Sequence, residues 1–344
     1  MGILSERKEE KKEKFVGRGK KASNPESGSR RKKKDPGPWG KKERSLVFYV
    51  LFATILASVI LAFSARSWKM PGLPRISFPS FRSGTIIIEK DKTELDEVAI
   101  ETISSFKDKT KSLSGVYGFY VIRLNSGVSY GVNESDIFEP ASLNKLPVML
   151  AMYIEAENGN IDLETTYVLK DTDKVSGSGS LYGKPEGYEL TYRDILSYMG
   201  KESDNTAANI ARNILDKEKI EQAIDIAGMD NTVVVGEDQE STPHDIGTFF
   251  EKLWEGNVIS KKYRDEMLGY LTDTIYEEWL AAGIPSSTDV AHKYGREIHV
   301  VNDAGIVFAD EPFVLVLLSK GVVEREADQV FPELSKAIYN QEIK

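Results

Sequence analysis

From Leu46 to Phe63 the chain carries no charge, and the uncharged stretch extends from Ser45 to Ala65. At about 1.5 Å per residue, a helix of that length just spans a bilayer core of roughly 30 Å. A second pattern begins after it. Leu95, Val98, Ile100, Ile103 and Phe106 recur with polar residues between them, which predicts a helix over Leu95–Lys111. Strands are predicted near Gly115–Leu124 and Gly127–Gly131, and again near Val290–Lys293, Ile298–Val301 and Phe313–Leu318. Between these two groups, from Ser142 to about Leu280, helical patterns dominate, including the apolar run Leu146–Met152. A last helix is predicted from about Glu324 to Tyr339. Strands from both ends with helices between them predict an α/β (α+β) domain. Its antiparallel five-stranded sheet is flanked by helices, with a helical lobe inserted and a seam between the two.

Three short strings carry chemistry: Ser142-Leu-Asn-Lys145, Ser203-Asp204-Asn205 and His292-Lys293-Tyr294-Gly295. The first alone says little, because Ser-x-x-Lys also occurs at Ser5/Lys8, Ser29/Lys32 and Ser104/Lys107. Ser142 differs in its setting. It falls at the first turn of the apolar helix, where backbone N–H groups and the helix dipole favour developing negative charge. Lys145 falls on the same face one turn later. An apolar wall weakens a lysine's hold on its proton, so it can act as a base toward the hydroxyl. The plainer reading of this string is a capping serine and a surface lysine. Ser203-Asp204-Asn205 opens an amphipathic run through Leu215, where capping is again the plain reading. The strings in this order are far more specific than any one of them.

In that order they resemble the penicillin-recognising serine enzymes, specifically the class A β-lactamase branch and its D,D-peptidase relatives, over about the last 250 residues. Ser176–Leu181 and Tyr188–Met199 resemble the run into that family's Ser-Asp-Asn element, and Asn302–Val307 the strand after its Lys-Thr-Gly element. The resemblance implies that Ser142 is the nucleophile and Lys145 its base. Ser203 would pass a proton to the departing nitrogen, and Asn205 would hold a substrate amide. Lys293 would supply positive charge, with Tyr294 and Gly295 at the substrate edge. Backbone N–H groups of Ser142 and Arg296 would form the oxyanion hole. The first activity it implies is acylation by β-lactams with hydrolysis of their amide. The alternatives are a D,D-carboxypeptidase or endopeptidase acting on peptidoglycan stem peptides, and a sensor acylated once without turnover.

Two departures bear on that choice. The family's small hydroxyl after the lysine is Tyr294 here. The family's long loop with Glu and Asn, which positions the deacylating water, is reduced to Val233–Pro243, with no Glu-x-x-x-Asn. Glu237 and Glu240 are the candidate bases in it. The alternative is a solvated acidic turn before a helix capped by Thr242 and started by Pro243. Without a positioned carboxylate, β-lactam acylation outpaces hydrolysis.

Charge says where this chemistry takes place. The first 44 residues hold 16 Lys/Arg and 7 Asp/Glu, a formal +9, in a chain whose total is −9. A basic flank before an apolar span predicts an N-terminus held in the cytoplasm and an acidic domain outside. The expected parts are therefore a basic disordered tail (1–44), a transmembrane helix (45–65), a stem with Pro71, Pro74 and Pro79 (66–90) and the hydrolase domain (91–344). The cluster Arg30–Lys34 suits anionic lipid headgroups better than nucleic acid, and a plain topology signal equally well. Cysteine is absent, which excludes thiolate chemistry and disulfides. His244, His292 and His299 lack ligand spacing, so neither metal nor cofactor is expected.

Overall fold

The computed structural model describes residues 96–236 and 238–344, together with Tyr49, Leu51, Phe52 and Thr54. The expected tail, the stem, most of the apolar span and Glu237 lie outside the described residues. Tyr49, Leu51, Phe52 and Thr54 are helical. No helix among the described residues is long and apolar enough to cross a membrane. The chain divides into two units, Met1–Pro79 and Ser80–Lys344, and the second carries all that follows.

Asp96 starts helix α1 (Glu97–Thr110) by accepting a hydrogen bond from the Ala99 N–H. Strands β1 (Val116–Arg123) and β2 (Ser129–Val132) then form a hairpin. The helical section holds α2 (Lys145–Glu157), α3 (Tyr192–Lys201), α4 (Asn205–Ile214), α5 (Lys217–Ile226), α6 (Pro243–Glu255) and α7 (Lys261–Tyr270). It also contains a small hairpin, β3 (Thr166–Val168) with β4 (Glu189–Thr191), which the sequence pattern did not reveal. Three strands follow, β5 (Val290–Glu297), β6 (Val300–Val307) and β7 (Phe313–Lys320), and α8 (Glu324–Glu342) ends the domain.

The main sheet is antiparallel in the order β2-β1-β7-β6-β5, so the chain's later strands insert beside its first. Alternation along each strand serves two cores. Tyr120, Ile122, Val314, Val316 and Ile306 face the helical lobe around α2. Phe119, Val121, Leu315 and Leu317 face α1 and α8, against Phe106, Phe331 and Leu334. With both faces covered, β7 reads as a nearly unbroken apolar run, Phe-Val-Leu-Val-Leu-Leu. The expected strand at Ile298–Val301 is shifted. Ile298 is 80% exposed in the turn, His299 adopts φ 62°, and β6 runs from Val300 to Val307. β5 is left as one of the two sheet edges, beside the Ala141–Asn144 turn and α7.

Candidate active site

Ser142 precedes α2 rather than lying in its first turn. It sits on a 3₁₀ turn, Ala141–Asn144, that leads into the helix at Lys145. Buried Leu143 pins this turn, and the Leu143 N–H donates to Pro140 O at 3.1 Å. Ala141, just before the serine, adopts φ 49°. Every residue from Lys145 to Tyr153 is buried, so the apolar run anchors the turn in the core.

The Lys145 side chain returns along that wall to Ser142. Its Nζ lies 2.9 Å from Ser142 Oγ, 3.2 Å from Ser203 Oγ, 2.9 Å from Ser203 O and 2.8 Å from Asn205 Oδ1. An ammonium has three N–H bonds for these four oxygens. A neutral amine donates two and offers a lone pair, which a serine O–H can enter. Burial favours the neutral form, and the Arg212 charge adds to it. Asp204 and Glu297 oppose both, and the net effect brings Lys145 down to about 7.

The second string sits at the start of α4. Asp204 caps that helix by accepting from the Ala207 N–H at 2.8 Å, and also accepts from the Leu181 N–H at 2.7 Å. Ser203, before the cap, adopts φ 52°, which turns its hydroxyl and carbonyl toward Lys145. Asn205 accepts from Lys145 and donates through Nδ2 to Ser176 O at 3.0 Å, tying the Ser-Gly loop to Lys145. One Nδ2 hydrogen remains for another acceptor.

The sheet edge closes the group. His292 N–H donates away from β6, to Leu271 O at 2.8 Å. N–H directions repeat every second residue along a strand, so the Arg296 N–H leaves by the same edge. Gly295 lets that edge approach the serine: a Cβ there would lie 2.9 Å from both Ser142 N and Pro140 O. The backbone N–H groups of Ser142 and Arg296 thus belong to adjoining chain segments. The Arg296 side chain turns elsewhere, donating to Asp328 at 2.6 Å.

Lys293 is fully buried, donates to Tyr294 O at 3.1 Å, and lies 4.2 Å from the Tyr294 ring centre. Burial, reinforced by Lys145, holds it well below the ordinary lysine range despite Asp303. Tyr294 is only 5% exposed, packed 3.9 Å from the Tyr276 ring and 5.5 Å from that of Trp279. Its hydroxyl lies 3.1 Å from Ser178 Oγ. It forms an inner wall rather than an open rim. His292 is buried with Nδ1 2.8 Å from Asp303 Oδ1. Its Nε2 lies 3.3 Å from Glu277 Oε1 without the alignment of a hydrogen bond. Burial disfavours the imidazolium, but Asp303 and Glu277 outweigh it and push His292 up to about 9.

Glu240 does not join this group. It is exposed, and its backbone pairs with Val233 in a two-residue bridge. Among the described residues of that loop, Gln239 reaches the serine turn, where its Oε1 accepts from Asn144 Nδ2 at 2.5 Å. Asn144 Oδ1 in turn accepts from Arg212 at 2.9 Å. Sequence reasoning missed Asn144, Arg212 and Gln239. Arg212 alone left a signal, falling seven residues after Asn205 on one helix face. Among the described residues no group of three His, Asp or Glu side chains could hold a metal.

Beta-lactamase VEB-1 of Pseudomonas aeruginosa is 21% identical over 285 residues, covering 74% of this chain and 93% of its own. The solved structure of PBP-A superposes with a TM-score of 0.67 at 22% identity, over 72% of this chain and 97% of its own. A beta-lactamase from Sphaerobacter thermophilus DSM 20745 gives 0.64 at 22% identity, over 71% and 95%. Those two likenesses establish the fold. A family model described as the beta-lactamase enzyme family matches residues 99–341, and the chain belongs to that family.

Proposed function

We propose that this chain is a membrane-anchored serine hydrolase that takes an acyl group from an amide onto Ser142 and passes it to water. The observation that carries this reading is a single buried amine, Lys145 Nζ, within 2.9 Å of Ser142 Oγ and 3.2 Å of Ser203 Oγ. Neutral Lys145 removes the Ser142 proton as Oγ attacks the carbonyl. The carbonyl oxygen gains negative charge facing the Ser142 and Arg296 N–H groups. Each such donor is worth roughly 3–4 kcal/mol when removed. The proton then moves from Lys145 through Ser203 Oγ to the leaving nitrogen, and the C–N bond breaks. Water attacks the ester, restoring Ser142.

β-Lactams suit the acylation half-reaction, and a mutant of PBP-A has been solved as an acyl-enzyme complex with penicillin G. Rapid hydrolysis needs a base for water on the ester. Among the described residues the flank beside Asn144 offers the amide of Gln239 there, and Glu240 is exposed. That favours a D,D-peptidase acting on peptides ending in D-alanyl-D-alanine, trapped by β-lactams, over a β-lactamase. The charge-free Ser45–Ala65 stretch and the basic segment before it support a single anchor with the domain outside the cytoplasm.

Intact-mass spectrometry over time tests the reading. Penicillin should add one acyl mass to Ser142 that persists for many minutes, and the peptide should release D-alanine. Ser142→Ala should lose both, and Lys145→Ala nearly so, because nucleophile and base act as a unit. Labelling of Ser142→Ala equal to the parent would refute the serine assignment. Rapid multiple turnover of penicillin would return the choice to the β-lactamase reading.

A further inference from the structure

Among the described residues Arg212 has no carboxylate partner, although it lies mostly buried beside the Ser142–Lys145 pair. A buried guanidinium is ordinarily matched by an anion. Here its one side-chain hydrogen bond goes to Asn144 Oδ1 at 2.9 Å, and Asn144 passes the contact to Gln239 at 2.5 Å. Asn144 immediately precedes Lys145, and Asn205, on the same face of α4, accepts from Lys145 Nζ. Arg212 is thus linked to the base from two sides, through the serine turn and through its own helix. Among the described residues the flank consists of a cation and two amides, with no acid.

We propose that Arg212 is a positioning residue of this site, holding Lys145 uncharged so that it can accept the Ser142 proton. The inference rests on the acyl-transfer reading above. The other charges around Lys145 leave this role to Arg212. From the start of α4 comes Asp204, whose carboxylate is already occupied by the Leu181 and Ala207 N–H groups. From β5 come Lys293, buried with its own charge suppressed, and Glu297 at the exposed strand end. The two acids pull Lys145 toward its charged form, and burial and Arg212 push it away. The hydrogen bond through Asn144 fixes where the guanidinium charge sits.

The test uses full-length protein in detergent and a fluorescent penicillin, reading the acylation rate from pH 5.5 to 10. The parent should show a basic limb centred near pH 7. Arg212→Gln keeps a donor for Asn144 but removes the charge, so the limb should move to higher pH. A shift of one unit would lower the rate about tenfold at pH 6 and leave it unchanged above pH 9. Arg212→Lys should bring the limb back toward its parental position. A limb unmoved in Arg212→Gln, or a rate lowered equally at every pH, overturns the proposal, since packing damage alone does not move a titration. Peptide mapping of the label separates the two levels. Label on Ser142 with the limb unmoved removes only the role of Arg212, whereas label elsewhere removes the acyl-transfer reading as well.

Discussion

Gly295→Ala measures how closely the sheet edge must approach the serine turn. The added Cβ would stand 2.9 Å from Ser142 N, Pro140 O and Leu143 Cδ1. Two of these atoms are backbone, and carbon contacts relax only beyond about 3.5 Å, so β5 must retreat by roughly 0.5 Å or more. It cannot swing away freely, because it is laddered to β6 from Val290 to Glu297. The retreat widens the gap between the Ser142 and Arg296 N–H groups. Oxyanion donors work at about 2.7–3.1 Å, and losing one costs about 10²–10³ in rate. Overpacking costs a further 1–3 kcal/mol of stability, or about 2–12 °C in Tm for a domain of this size. Stopped-flow acylation by a fluorescent penicillin, alongside a melting curve, separates the two effects. Slowing of at least about a hundredfold in protein that is still folded is the expected result. Acylation at the parental rate would show that the approach of Gly295 to Ser142 has no bearing on the chemistry.

Two further outcomes follow from the site. Gln239→Glu puts a carboxylate beside Asn144, and decay of the preformed penicilloyl-enzyme, followed by intact mass, should quicken about tenfold or more; unchanged decay would mean that this flank does not reach the ester. His292 has its folded-state value raised to about 9 from 6.5, so its contribution is full below about pH 6.5 and fades as pH rises through 9. Urea denaturation of the second unit's fold should show up to about 3 kcal/mol lost over that window, and His292→Asn should flatten the dependence. Parallel curves for parent and mutant would rule out the Asp303–His292–Glu277 pairing as its source.

What could be read from the sequence is what is encoded locally. Thr242 and Pro243 start α6 as a cap and first-turn proline do anywhere, and the Asp245 N–H donates to Thr242 Oγ1. Four of the five main strands lie close to where the residue pattern of each segment placed them, and only β6 is shifted, beginning at Val300 and running on to Val307. Ser142 and Lys145 meet because they are three residues apart at a helix start. Contacts set by distant segments left little or no trace. Gln239 approaches Asn144 across 95 residues, and Tyr294 meets Ser178 across 116. An acidic loop sequence suggested Glu240, yet the loop's bridge to Val233 leaves that side chain exposed and Gln239 against the serine turn. The β3–β4 hairpin escaped notice because three-residue strands with exposed ends give alternation nothing to register.

The left-handed backbone at Ala141 and Ser203 has an evolutionary consequence. An L-residue in that region costs about 1–2 kcal/mol, and glycine sits there without penalty. At Ser203 the residue that would suit the backbone best is therefore one without the hydroxyl that faces Lys145. Selection for heat resistance alone would drift toward glycine there and discard the hydroxyl that the proposed proton relay needs. A lineage that keeps serine at this position is retaining chemistry against the grain of its own fold.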